Sequence, residues 1–169
     1  LLGPEMKSTG EVMGIGETFG EAFAKGQSAA GEILSTSGCA FISVKDIDKE
    51  LAINVASELV KLGFEIYATS GTSNILNEAG IKCKRVNKVR EGEPHIVNML
   101  ENKQIDLIVN TTEDKNAIAD SFSIRRTALQ QKVFYTTTMA AAQATVEALK
   151  YGENSNVNSL QTLHKGIFS

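Results

Sequence analysis

The sequence predicts an α/β protein in three layers, an open and mostly parallel five-stranded sheet with helices on both faces. From residue 39 onward, apolar runs of strand length alternate five times with helically spaced segments, joined by connections of a few residues. That alternation is the pattern of βαβ units. Residues 105–110 are almost entirely apolar, as a strand buried on both faces must be. The chain has 169 residues, 42% of them hydrophobic and 22% charged, enough for one packed core and contrary to wholesale disorder.

Taken in order, residues 1–31 stand apart from the remainder, residues 32–169. Eight of the 14 glycines fall within the first 38 positions. Thr18-Phe19-Gly20-Glu21 has the form of a capping box and predicts a short helix through Ala22, Phe23 and Ala24. Residues 26–38, rich in Gly, Ser and Ala, read as a linker. Residues 39–44 form the first strand. A helix over 46–62 places Leu51, Val55, Leu59 and Leu62 on one face and Glu50, Asn54, Glu58 and Lys61 on another, with Gly63 as its stop. Residues 64–68 are the second strand, 72–79 a short helix closed by Gly80, and 82–86 the third strand. Pro94 stands at a first helical position, ahead of an apolar stripe of Ile96, Val97 and Leu100. The fourth strand, 105–110, leads into a helical stretch broken near 121–123. The fifth strand is 133–136, and an Ala-rich helix covers 139–149 before a polar, Asn- and Ser-rich tail.

Several function classes are set aside by composition. A net charge of −3, from 17 basic and 20 acidic residues, gives no general attraction to nucleic acid or anionic membrane. No run approaches 18 apolar residues, and the opening Leu1-Leu2-Gly3-Pro4 is neither a signal peptide nor an initiator Met. The expectation is a cytoplasmic segment of a longer chain. Cys39 and Cys83 are expected to be reduced core thiols, and two histidines without zinc spacing predict no metal site.

In open α/β sheets ligands gather at the carboxyl ends of the strands. There the sequence delivers Ser43 with Lys45 and Lys49, then Thr69-Ser70-Gly71-Thr72, Asn87-Lys88, Asn110-Thr111-Thr112 and Thr136-Thr137-Thr138. The Thr69–Thr72 stretch lies between strand and helix, so its N–H groups, hydroxyls and glycine can cradle an anion. Each feature alone has a plain reading, with Thr72 as a helix cap and the lysines as solvated surface. Their convergence on one rim predicts a phosphate-sized anion site. Gly14-Ile15-Gly16 lacks a third glycine, since position 19 is Phe. Arg125-Arg126 reads as a solvated or ion-paired helix face, and His95 as an incidental helix-start residue. Glu91, Glu93, Glu113 and Asp114 have no spacing that dictates a carboxylate pair, and Ser121 and Ser123 lack a nucleophile-elbow context. The residues alone thus describe a binding module without a catalytic set.

A family resemblance extends this reading. Gly3-Pro4-Glu5-Met6-Lys7-Ser8-Thr9-Gly10-Glu11-Val12-Met13-Gly14 resembles the end of the second ATP-grasp synthetase unit of the carbamoyl-phosphate synthase large subunit. Residues 39–149 are similar to that subunit's C-terminal regulatory domain, of methylglyoxal synthase-like, Rossmann-like fold. The similarity rests on Ser43-Val44, Asp48-Lys49-Glu50, Gly63-Phe64-Glu65, the 68–72 stretch, Val86-Asn87-Lys88-Val89, Pro94-His95-Ile96, Asn110-Thr111-Thr112 and Ile124-Arg125-Arg126. The resemblance implies an allosteric domain of an ATP-dependent, glutamine-hydrolysing ligase of pyrimidine and arginine biosynthesis. In that family UMP inhibits, IMP occupies an overlapping site and ornithine activates from a nearby junction, and the resemblance implies the same here. The implied phosphate and ribose contacts match at Ser43, Lys49, Thr69, Thr72, Lys88, Asn110 and Thr112, and the ornithine contacts at Asp120 and Thr137. It further implies no cofactor here, with ATP and Mg or Mn confined to the missing synthetase units. Implied partners are those units, the glutaminase small subunit and, as a further role, a second copy of the chain. Methylglyoxal synthases themselves carry catalytic acids and a histidine around this pocket. Their glycine-rich loop with its Asp is replaced here by Val89-Arg90-Glu91-Gly92-Glu93-Pro94. An alternative reading, a lyase acting on a triose phosphate, would need Glu91 or Glu93 to stand in.

Overall fold

Five strands, β1 (Gly38–Ser43), β2 (Phe64–Ala68), β3 (Cys83–Arg85), β4 (Leu107–Asn110) and β5 (Phe134–Thr136), lie in the order β3-β2-β1-β4-β5. The structure is a computed structural model and describes residues 10–32, 34–111, 115–151, 159 and 161–162. Each neighbouring pair is parallel, with Cys39 opposite Glu65 and Ser43 opposite Asn110 fixing the central register. The central strands β1 and β4 are apolar because both their faces are covered. Ala40, Ile42, Phe64, Ile66, Leu107 and Val109 point to one face, where they meet α2 (Lys49–Lys61), α3 (Ser70–Glu78) and α6 (Met139–Tyr151) through Ala52, Val55, Leu59, Leu76, Ala142 and Val146. Phe41 and Ile108 point to the other, against Ile96 and Leu100 of α4 (Ile96–Glu101) and Ile124 and Ala128 of α5 (Lys115–Gln131). The three-layer architecture expected from the alternation is present.

At the β2–β3 end the second face is guarded by polar groups. Lys84 Nζ lies 2.9 Å from Glu65 Oε2 and 5.2 Å from the centre of the Tyr67 ring. β1 opens at Gly38, whose φ of +134° excludes most side chains. A Cβ there would strike the Asp106 carboxylate, which accepts a hydrogen bond of 2.8 Å from the Cys39 N–H. This contact ties the start of β1 to the turn before β4. Burial pushes the Cys83 thiol up to about 11, and burial followed by Glu65 and Asp106 raises Cys39, so both thiols are protonated at neutral pH.

Several boundaries differ from the sequence expectation. α1 (Phe19–Ala29) runs through residues read as linker, because it packs along α6 and tertiary contact outweighs the cost of Gly26. Thr18 is its cap, accepting from the Glu21 N–H at 3.2 Å, but the Glu21 carboxylate accepts from the Glu17 N–H at 2.8 Å, so the box is not closed on Thr18. On α2 the buried stripe is Ala52, Val55, Ala56 and Leu59, while Leu51 is exposed. A 3-10 turn at Asp46–Asp48 precedes the α-helix, which starts at Lys49. α3 begins at Ser70, so Thr72 lies inside the helix and is not its cap. At α4 the cap is His95, not a helical Pro94: His95 Nδ1 accepts from the Asn98 N–H at 3.4 Å, and Asn98 Oδ1 accepts from the His95 N–H at 3.0 Å. α5 is continuous through Ser121 and Ser123, since Ser121 faces β4 and bonds there instead of breaking the helix. No helix of the described residues is long and apolar enough to cross a membrane.

Candidate functional site

The strand order reverses between β1 and β4, because the chain leaves β1 toward β2 and β3 on one side and later lays β4 and β5 on the other. The connections at such a switch point diverge and leave a crevice beyond the carboxyl ends of the two strands. Here a depression of about 320 Å3, including its solvent-open mouth, sits at that place. Ser43 from β1, Thr69 after β2, Lys88 after β3 and Asn110 from β4 line it, over an apolar floor of Phe41, Ile96 and Ile124.

Hydrogen bonds hold the polar wall in place. Ser43 Oγ and Thr69 Oγ1 are 3.3 Å apart, joining β1 to β2, and both residues are buried. The Asn110 amide donates to Tyr135 Oη at 2.8 Å and to Ser121 Oγ at 3.3 Å. The Arg125 guanidinium lies 5.5 Å from the centre of the Tyr135 ring, so Arg125 is not simply solvated. These contacts fix the direction of the Asn110 side chain toward the crevice wall. The first-turn N–H groups of α3, left without intrahelical partners by helix geometry, open beside Thr69.

The other expected residues are distributed differently. Thr72 is 2% exposed, and its hydroxyl accepts from the Val44 N–H at 3.3 Å. It joins the end of β1 to α3 and is not in the wall of the depression. Lys49 stands at the rim with its ammonium 2.6 Å from Asp46 Oδ1 and against the open side of Gly71, where a Cβ would sit 3.8 Å away. Thr112 lies outside the described residues. Asp120, for which the resemblance implies an ornithine contact with Thr137 at a nearby junction, lines the same depression as Lys88 and is ion-paired to Arg90 at 3.4 Å. Thr137 follows β5 and is exposed, outside this wall. Ser121, which has no nucleophile-elbow context, is a wall residue, reached because α5 continues unbroken through it. Glu91 accepts from the Lys88 N–H at 3.0 Å and so braces its own turn. Among the described residues, no group of three or more His, Cys, Asp or Glu is placed to hold a metal ion.

A chemically coherent set results: the Ser43 and Thr69 hydroxyls, Lys88 and helix N–H groups for an oxyanion, and the Asp120 carboxylate, which can accept from hydroxyl groups. Comparison with known proteins decides the family. The family model described as MGS-like domain matches residues 51–137. The chain belongs to the MGS-like domain family. Over 167 residues it is 59% identical to the carbamoyl phosphate synthase large chain of Pseudomonas syringae pv. tomato, covering 99% of this chain and 16% of that protein. The corresponding large chain of Pseudomonas aeruginosa is also 59% identical, and that of Xanthomonas campestris pv. campestris 53%, with the same coverage. The chain therefore spans about a sixth of the length of these relatives. In three dimensions it resembles a crystal structure of methylglyoxal synthase from Elizabethkingia anophelis with a TM-score of 0.56, at 17% identity, over 78% of this chain and 93% of that one. That likeness establishes the MGS-like fold.

Proposed function

We propose that this chain is the allosteric, effector-binding domain of a carbamoyl phosphate synthase large chain, and that its switch-point pocket takes a nucleoside monophosphate of the UMP or IMP type. The observation that carries the reading is the convergence of Ser43, Thr69, Lys88 and Asn110 on one crevice that Asp120 also lines. A phosphate needs a cation and several N–H or O–H donors, which Ser43, Thr69, Lys88 and the start of α3 supply, while Asn110, its amide donating to Tyr135 and Ser121, fixes the β4 wall. A ribose presents hydroxyls, which a carboxylate accepts, and that is the role given to Asp120. Lys49 adds charge at the rim, and Thr72 acts by holding the β1–α3 junction. Thr112 is kept in the ligand set on the resemblance alone.

In this reading synthesis of carbamoyl phosphate, with its ATP and Mg or Mn, takes place in synthetase units outside these residues, in the cytoplasm. Ornithine acts on the whole large chain, with Thr137 near its junction, and the glutaminase subunit joins the same assembly. The segment itself performs no chemistry. Titrating UMP, IMP and inorganic phosphate into the chain by calorimetry tests this directly. Saturable nucleotide binding that is lost in Lys88→Ala supports it. Release of methylglyoxal from dihydroxyacetone phosphate, abolished by Glu91→Gln or Glu93→Gln, would replace it with the lyase alternative.

A further inference from the structure

Resting on the reading of the pocket as an anion site, we propose that Arg90 is a specificity-determining residue that cancels the charge of Asp120 across the pocket mouth and leaves that of Lys88 to the ligand. The wall contains opposite charges. Lys88 and Asp120 both line the depression, so without a third group the carboxylate would oppose an incoming phosphate about as much as the lysine attracts it. Arg90 Nε stands 3.4 Å from Asp120 Oδ1, with the Arg90 side chain 51% exposed and that of Asp120 14% exposed. The pairing offsets the Asp120 charge, the Glu91 carboxylate being turned back on the Lys88 N–H of its own turn, while Asp120 keeps its second oxygen for a hydroxyl. A guanidinium suits this position because it engages the carboxylate through one edge and retains N–H donors on the other.

Position in the chain supports an electrostatic role over a scaffolding one. Arg90 lies in the 3-10 turn Val89–Glu91, directly after Lys88. That turn is braced independently of Arg90: Glu91 accepts from the Lys88 N–H at 3.0 Å, and the Asn87 amide donates to the Gly92 carbonyl at 3.3 Å. Removing the guanidinium should leave the backbone in place and change the charge met by the ligand.

Binding of inorganic phosphate to the 169-residue chain, measured by calorimetry in wild type, Arg90→Ala, Asp120→Asn and the double variant, tests the proposal. Arg90→Ala should weaken phosphate about tenfold, a loss of about 1.4 kcal/mol. Adding Asp120→Asn to Arg90→Ala should recover most of that loss, a rescue that a purely structural role would not give. Arg90→Gln, which keeps the aliphatic stem, serves if the alanine variant fails to fold. Wild-type affinity in folded Arg90→Ala or Arg90→Gln, or a double variant as weak as the single one, would overturn the proposal while the pocket reading stands. A wild-type chain that binds no phosphate would overturn the pocket reading, and this proposal with it.

Discussion

Lys88 belongs to the wall of the crevice, whereas Lys49 stands at the rim with its ammonium 2.6 Å from the exposed Asp46 carboxylate. The two lysines are therefore expected to contribute unequally to anion binding. Lys88→Ala should cost about 1.5–3 kcal/mol of UMP affinity, the range for hydrogen bonds to charged groups. Lys49→Ala should cost less, because Asp46 already offsets part of its charge; equal losses by calorimetry would contradict this arrangement. Thr72 makes the opposite case, a residue of the cluster whose effect is on stability. Thr72→Val leaves the Val44 N–H buried without its acceptor, at a cost of about 1–3 kcal/mol in unfolding free energy. Denaturant titration should show that loss with UMP affinity nearly unchanged. Ser43, Thr69 and Asn110 were legible in the sequence because each ends an apolar run whose length fixes where the strand stops. Ser121, and the placement of Asp120, were not. They come from α5, whose serines weaken its helical pattern, and only packing against β4 shows that the helix continues.

Among elements, α6 links the covering helices. On one side Lys150 Nζ lies 2.8 Å from Glu58 Oε2 of α2, and Lys61 lies 2.6 Å from the other oxygen of the same carboxylate. Lys150 first, then Lys61, lower the Glu58 carboxyl from 4.5 to about 2. A depressed folded value means stability that is present above pH 4.5 and lost as pH falls toward 2. Glu58→Gln should lower the melting temperature at neutral pH, with the gap to wild type closing between pH 4.5 and 2. A gap of constant size across that window would show that the pairs contribute nothing. On its other side α6 receives α1. Tyr151 Oη donates to Glu21 Oε1 at 3.0 Å, and a Cβ at Gly20 would approach the Glu147 carbonyl oxygen to 2.8 Å. Gly20→Ala gains about 1 kcal/mol of helix propensity. It also forces a backbone clash, for which overpacking costs are typically about 1–3 kcal/mol. The clash dominates because a carbonyl cannot swing aside, so the variant should melt lower; a raised melting temperature would mean that α1 does not dock there. That docking was not legible in the sequence: the capping-box pattern predicts a helix only through Ala24, residues 26–29 read as linker, and packing along α6 carries the helix on to Ala29.

At the scale of the molecule, the βαβ alternation was legible because the central strands β1 and β4 are buried apolar runs and each helix carries its own periodicity. Strand order was not, since it depends on which crossovers pack together, and the position of the crevice depends on that order. The central claim is that an effector is held where the order reverses, between β1 and β4. Backbone amide shifts of the isotope-labelled chain, followed by NMR during titration with UMP, test it most directly. The account predicts that saturable changes concentrate at Ser43, Thr69 to Thr72, Lys88 to Arg90, Asn110 and Asp120, with the opposite edge of the sheet unmoved. Changes centred elsewhere, or none up to millimolar UMP, would contradict it.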